Sequence, residues 1–385
     1  MSDAPVLKTL ADLVRINSIN PAYENGNPEG EIAAYIERFF GDREIETWRQ
    51  EVLPGRPNLI ARLPGHRAGL RIVLEAHVDT ASITGMTIPP FEPVIRDGRM
   101  YGRGSCDTKA GLAAMMHAVA SLHSAGNKPE CEVWMVAAAD EEYSFRGVSK
   151  LCERLKADAA IVAEPTELRP VIASKGVLRW KVCATGKAAH SSKPHLGTNA
   201  IVHMARVIEA FEKDAATLEA NVHSLLGPAT LNIGVIRGGV QVNFVPDRCE
   251  IEIDRRLLPG EKPAEVLAGY QAMLNRLRKD DRAMQVCMEP PMLVDEALET
   301  PPDAMVARTA TEVLRNMGLP SELVGVPYGS DASKLSRHGV PSIIFGPGSI
   351  DLAHAAVEYV ECDHVIQAEE FYRSFLKRFS TERVC

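Results

Sequence analysis

The sequence predicts an α/β protein in which a mostly parallel sheet flanked by helices is interrupted by an inserted α+β domain. Three observations carry that prediction. Short apolar runs such as PNLIARL, LRIVLEAHV, CEVWMVAAA and DAAIVAE lack strict alternation, as strands covered on both faces do. Among them, AGLAAMMHAVASLHSAG has helix composition and closes on glycine, which produces strand-helix-strand alternation. Near Lys175 the pattern changes to β-α-β-β-α-β, the order of a ferredoxin-like unit: a four-stranded antiparallel sheet with its helices on one face.

Taken in order, MSDAPVLKTLADLVRINS breaks its apolar residues with Asp3, Lys8, Asp12 and Arg15. It therefore reads as an amphipathic helix and not as a secretory signal, and the mature chain is expected to begin here. The turn formers NPAYENGNPEG lead into EIAAYIERFF, where Ile32, Ala33, Ile36, Phe39 and Phe40 recur at helical spacing. The four apolar strands follow. In the insertion, VLRWKVCATG is a strand, TNAIVHMARVIEAFEKDA a helix, ATLNIGVIRGG and CEIEIDRRL strands, KPAEVLAGYQAMLNRLRKD a helix and AMQVCMEP a last strand. PDAMVARTATEVLRNMG (helix), VPSIIFGPG (buried strand) and EEFYRSFLKRFSTERV (helix) return to α/β character. The predicted domains are residues 1–174 with 289–385, and residues 175–288, in keeping with the ~2–3 domains that a chain of 385 residues holds.

Composition narrows the function classes. Hydrophobic residues at 45% and charged residues at 24% exclude a wholly disordered or fibrous chain. Lys and Arg total 43 against 51 Asp and Glu, a net charge of −8, and no dense basic block occurs, so no nucleic-acid partner is expected. No apolar run approaches the ~20 residues that cross a bilayer, and no membrane partner is expected. Cysteines stand at 106, 131, 152, 183, 249, 287, 362 and 385 without a C-x-x-C pair, several within apolar strand-like runs. They are expected to be reduced, buried thiols of a cytoplasmic protein, not a zinc ribbon.

Ionisable residues gather where predicted strands end, the edge at which α/β sheets carry their sites. His77 and Asp79 close LRIVL in EAHVDT and share one side of an extended chain. They suit metal ligation, with a carboxylate that fixes the imidazole, and equally a hydrogen-bonded His at a strand end. Asp107 lies in the glycine-rich YGRGSCDTKAG, where a carboxylate would repel a pyrophosphate and attract a cation; taken alone, it reads as a helix N-cap. CEVWMVAAA ends in Asp140, Glu141 and Glu142, which repel one another unless neutralised or solvated. Glu164 ends DAAIVAE, and His354 follows VPSIIFGPG. If His77, Asp107, Glu142, Glu164 and His354 bound two Zn²⁺, four positive charges would meet three carboxylates, and a hydroxide would complete neutrality. Mixed nitrogen and oxygen donors with an open position suit catalytic zinc, or cobalt and manganese by availability.

In this order the motifs EAHVDT, YGRGSCDTKAG, ADEE, AEPT, GKAAHSSKPHLGTNAI, NFVPDRCEIEIDRR and GPGSIDLAH resemble the dinuclear zinc amidohydrolase and peptidase family of acetylornithine deacetylase, succinyl-diaminopimelate desuccinylase and related carboxypeptidases. The likeness covers essentially the whole chain. It implies that His77 and Glu164 hold one metal, Glu142 and His354 the other, and that Asp107 bridges them. Asp79 would orient His77, and Glu141 would be the general base. The insertion would be a lid and dimerisation domain. His190 resembles the histidine that reaches a partner subunit's site in dimeric members, though a loop His bonded to Ser191 or Ser192 is the plain alternative. Arg256 matches the family's substrate-carboxylate arginine, with Asn243 beside it, while Arg255 is expected to be solvated on the other sheet face. Ser330 matches a substrate-lining position, and a turn serine explains it as well. Ala76, Thr108 and Ala110 depart from the family's usual residues without removing a ligand, and EEYSFRG leans toward acetylornithine deacetylases.

The resemblance thus implies hydrolysis of the amide bond of an N-acyl amino acid, by a homodimer joined through the insertion. Succinyl-diaminopimelate desuccinylation and carboxypeptidase or dipeptidase action stay open, as does a non-catalytic binding role on the same fold.

Overall fold

The computed structural model describes residues 4–380. Its principal strands are β1 (Glu46–Leu53), β2 (Arg56–Leu63), β3 (Arg71–His77), β4 (Glu132–Ala138), β5 (Ala159–Val162), β6 (Gly176–Thr185), β7 (Thr230–Gly238), β8 (Arg248–Leu257), β9 (Gln285–Met288) and β10 (Ser342–Ile344). The principal helices are α1 (Pro5–Arg15), α2 (Gly30–Gly41), α3 (Lys109–Ser124), α4 (Ala200–Leu218), α5 (Pro263–Asp280), α6 (Met305–Asn316) and α7 (Cys362–Arg378). Two compact units result. One comprises the chain up to Ile172, Thr300–Val324 and the chain from Ser330 on; the other comprises Ala173–Glu299 and Gly325–Gly329.

In the first unit the sheet runs in the order β1-β2-β4-β3-β5-β10. β4, β3, β5 and β10 run parallel to one another, so their carboxyl ends lie along one edge. β1 is an element the sequence pattern hides, because it is the polar outer strand of an antiparallel hairpin with β2. β3 and β5 are buried almost throughout, which explains why their runs do not alternate. α3 is apolar around most of its circumference and correspondingly buried, with Leu112, Met115, Met116, Val119 and Leu122 joining the core. Gly346 just beyond β10 leaves no room for a side chain: a Cβ there would stand 2.6 Å from the Glu164 carbonyl oxygen.

The second unit is an antiparallel sheet in the order β7-β8-β6-β9. Its core joins Trp180 of β6, Ile251 and Ile253 of β8, and Phe211 and Tyr270 of α4 and α5. The unit extends to Glu299 and not 288, because Leu293–Asp295 pairs with β6 and Leu298–Glu299 with Ala173–Ser174. β8 alternates strictly and turns Arg255 inward. The expectation of a solvated Arg255 is therefore wrong: it is 2% exposed, pairs with Glu261 at 2.6 Å and donates to the Arg256 carbonyl.

Of the cysteines, 106, 131, 152, 183, 249 and 362 are buried and unpaired, whereas Cys287 is exposed on β9, contrary to the expectation for it. Cys385 lies outside the described residues. Among the described residues no helix is long and apolar enough to cross a membrane.

Candidate metal and catalytic centre

The parallel strands of the first unit deliver their terminal residues to one place. His77 ends β3, Glu141 and Glu142 follow β4, Glu164 follows β5, and His354 sits in the loop beyond β10 at a φ of 57°. His77 Nδ1–H donates to the Asp79 main-chain carbonyl at 2.9 Å, which leaves the Nε2 lone pair facing Asp107 Oδ1 at 3.1 Å. Two acceptors face each other stably only with a proton or a cation between them. The other oxygen of Asp107, Oδ2, is 3.6 Å from His354 Nε2, which is also 3.1 Å from Glu142 Oε2.

Among the described residues two groups able to hold a cation follow, each with ligand atoms within 4.8 Å of one another: His77, Asp107 and Glu164, and Asp107, Glu142 and His354. They share Asp107. Each combines imidazole nitrogen with carboxylate oxygen, a donor set that fits borderline divalent cations. Electrostatics agree. Burial pushes the Glu141 and Glu164 carboxyls well above the usual range, with neighbouring carboxylates adding to it, and raises Glu142 as well. Burial opposes charge on His77, yet the bond to Asp107 and the charges of Glu141 and Glu164 outweigh it and raise its pKa well above the ordinary value. His354 is raised to about 9, chiefly by its bond to Glu142. Without a cation, this cluster holds protons it would not otherwise keep.

Asp107 does not cap α3: Thr108 is the N-cap residue, with no side-chain cap bond. Its loop is held from behind by Glu358, buried at 0% exposure. Glu358 Oε1 accepts the N–H groups of Cys106 (2.9 Å) and Asp107 (3.1 Å), and Oε2 accepts Gly104 N–H (3.1 Å) and Arg103 Nη1 (2.6 Å). Gly104 takes a φ of 80°, a region that suits glycine. Lys109 Nζ, fully buried, donates to the Leu13 carbonyl in the last turn of α1 and to the Ile16 carbonyl just beyond it, and burial lowers its pKa to about 7.

The three acids after β4 are not solvated loop acids. Asp140 is fully buried, accepts Arg56 Nη2 at 2.8 Å, and Arg56 is gripped in turn by Glu29 through two 2.6 Å bonds. Asp79 accepts Glu141 N–H and Glu142 N–H, each at 3.1 Å, and Asn20 Nδ2 at 2.8 Å. Sequence reasoning missed Asn20, Glu29, Arg56, Arg103, Lys109 and Glu358. Ser330 is fully buried, and its Oγ accepts Ala332 N–H at 3.3 Å, so its hydroxyl faces a turn.

His190, Asn243 and Arg256 belong to the second unit. His190 Nδ1 lies 2.8 Å from Ser192 Oγ and 3.2 Å from the Ser192 main-chain nitrogen, so this edge of the ring is engaged within its own loop. Ser191 N–H donates to the Asn243 carbonyl at 3.0 Å, so these two loops are neighbours. Arg256 is partly exposed, and its Nε already donates to Asp254 at 2.7 Å.

Residues 73–378 match the profile of peptidase family M20/M25/M40. The chain is 30% identical to an acetylornithine deacetylase of Myxococcus xanthus, over 96% of each chain. It is 26% identical to a probable succinyl-diaminopimelate desuccinylase of Staphylococcus epidermidis, over 98% of each. Among solved structures, the aminopeptidase PepT of Bacillus cereus superposes with a TM-score of 0.80 at 23% identity over 97% of each chain. A Bacillus subtilis protein, YxeP, described as a dinuclear metal-binding peptidase of the M20 family, gives a TM-score of 0.70 at 16% identity, covering 97% of this chain and 96% of its own. These two likenesses concern the fold.

Proposed function

The chain belongs to peptidase family M20/M25/M40, and from that premise we propose that it is a metal-dependent amidohydrolase that cleaves the amide bond of an N-acyl amino acid, with acetylornithine-type deacetylation as the favoured case. The observation that carries the reading is the pair of three-residue groups sharing Asp107, with the His77 Nε2 lone pair aimed at a carboxylate. His77 with Glu164, and Glu142 with His354, would each hold one divalent cation, with Asp107 between them. Zinc suits these donors, as do cobalt and manganese. Bound there, the cations would supply Lewis acidity and lower the pKa of a water toward neutrality.

Glu141 is the acid in this cluster that no cation needs. Its carboxylate takes the proton of the attacking water and returns it to the departing amine, a two-way role that a raised pKa suits. His190, exposed and with Nδ1 engaged by Ser192, would offer its Nε2 edge as a donor for the developing oxyanion, reached from a second copy of the chain. Arg256, with Asn243 nearby in sequence, would grip the substrate carboxylate, exchanging Asp254 for it. Dimerisation through the second unit is supported by β7, an edge strand with Ile236 exposed and Val240 and Val242 bare just beyond it. Unpaired cysteines support a reducing compartment such as the cytoplasm.

A panel of N-acetyl and N-succinyl amino acids and dipeptides, assayed on metal-loaded protein with and without chelator, tests the reading. Chelator-sensitive turnover of N-acetyl compounds is expected. Preference for N-succinyl compounds or dipeptides would move the activity within the family, and turnover indifferent to chelation would end the metal-dependent reading.

A further inference from the structure

Asp79 follows His77 by two residues, a spacing that suggests it orients the imidazole, yet its carboxylate is engaged elsewhere. Oδ1 is 3.8 Å from His77 Nδ1, and the ring N–H goes to the Asp79 main-chain carbonyl at 2.9 Å. Instead, the carboxylate receives the N–H groups of Glu141 and Glu142, the first two residues of the turn Glu141–Ser144. A third donor completes its shell. Asn20 Nδ2 reaches Asp79 Oδ2 at 2.8 Å and, with its other hydrogen, Asp140 Oδ1 at 2.9 Å.

The orientation of this carboxamide is dictated by its partners. Two carboxylates can only accept, so both must face the NH₂; Ala22 N–H can only donate, and it meets Oδ1 at 3.0 Å. Asn20 is fully buried, and its own N–H is tied to the Thr80 carbonyl at 2.9 Å. From the same loop, Tyr23 OH donates to the Glu142 carbonyl at 2.8 Å, and Ser18 Oγ to the Val78 carbonyl at 2.7 Å. One carboxamide thus joins two buried acids that would otherwise repel, on the two strand ends that flank the base. A half-satisfied buried network is costly, so the arrangement is stiff only when every member is present.

We propose that Asn20 is a positioning residue for the general base: by bridging Asp79 to Asp140 it fixes the turn that carries Glu141 and Glu142, whose N–H groups the Asp79 carboxylate receives. The catalytic half of this inference rests on the reading of Glu141 as base. The turn-holding half does not.

Asn20→Ala and Asp79→Asn test both halves. In metal-free protein, amide hydrogen exchange over residues 139–145 should quicken by about tenfold or more in either variant, with exchange along β3 unchanged. In metal-loaded protein, kcat should fall by about 10- to 100-fold while KM stays within about twofold and bound metal per chain is unchanged. The double variant should be no slower than Asp79→Asn by more than about twofold, because both residues act through one contact. Unchanged exchange over 139–145, multiplied kcat losses in the double variant, or loss of metal from Asp79→Asn with the turn still protected would overturn the assignment. If wild-type protein hydrolyses no amide, the proposed activity fails, while the exchange experiment still decides what holds the turn. Should Asn20→Ala not fold, Asn20→Ser, which keeps one donor, takes its place with the same readouts.

Discussion

Glu141 has Glu142 beside it in the chain and His77, Glu164 and Asp331 acting on it electrostatically, and burial in that crowd lifts its pKa well above the usual carboxylate range. Glu141→Gln keeps the size of the side chain and removes its capacity to accept a proton. The expected result is a loss of about 10²- to 10⁴-fold in kcat with metal content unchanged, measured by turnover of an N-acyl amino acid and by metal analysis of the same sample. The residues of this cluster were legible because each is a charged or imidazole side chain directly after an apolar run. Asn20 and Glu358 were not, for a physical reason: an Asn in a run of turn formers, or a Glu before a strand, looks the same whether it faces water or a buried partner. Arg255 and Arg256 show the complementary failure. Alternation says that neighbours face opposite ways, but not which way, and only the packing of β8 against α4 and α5 turns Arg255 inward.

At the scale of elements, two structures behind the cluster make separate predictions. The loop from Arg103 to Asp107 is drawn around the Glu358 carboxylate, which meets Arg103 and three main-chain N–H groups. Glu358→Ala leaves a buried guanidinium without its partner, and about 3–5 kcal/mol of stability should be lost in urea unfolding, with weaker metal binding because Asp107 is no longer fixed. α1 and α3 meet at Thr9 and His117, where Thr9 Oγ1 is 2.8 Å from His117 Nε2. Burial, helped by Arg43, lowers the His117 pKa from 6.5 to about 4. The unfolded chain therefore takes up this proton before the folded one does. The stability that His117 contributes is complete above 6.5 and is lost as the pH falls from there toward about 4, by about 2 kcal/mol once its partial exposure is allowed for. His117→Gln should flatten the urea midpoint over that window relative to wild type; an equally steep loss would show that another group is responsible. The helices were readable from their periodicity, whereas β1 was not, since a polar outer strand carries little hydrophobic pattern.

At the largest scale the decisive fact is that the described residues form two hydrophobic cores, one in each unit, and that both groups able to hold a cation belong to the first. A divalent cation that binds only the folded first unit stabilises that unit by mass action, about 2.7 kcal/mol at a hundredfold excess over its dissociation constant. For a unit of this size that corresponds to a rise of about 5–10 °C in its melting temperature. The second unit holds none of these ligands and should melt where it did before. Acid titration carries an independent sign. Without metal, Glu141, Glu142, Glu164 and His77 all have folded pKa values above their ordinary ones, so their contribution is present at low pH and is lost as the pH rises. Calorimetry of metal-free protein should therefore show the first unit's transition falling as the pH rises, from 6.5 to about 9 for the His354 contribution, and saturating zinc should both raise that transition and remove this dependence, since a cation replaces the protons the cluster was holding. Two transitions of which one alone responds is the expected record. A single transition that moves as a whole would mean that the two cores unfold together, and a metal-free protein as stable at pH 9 as at pH 6.5 would mean that these groups are not crowded into one cleft.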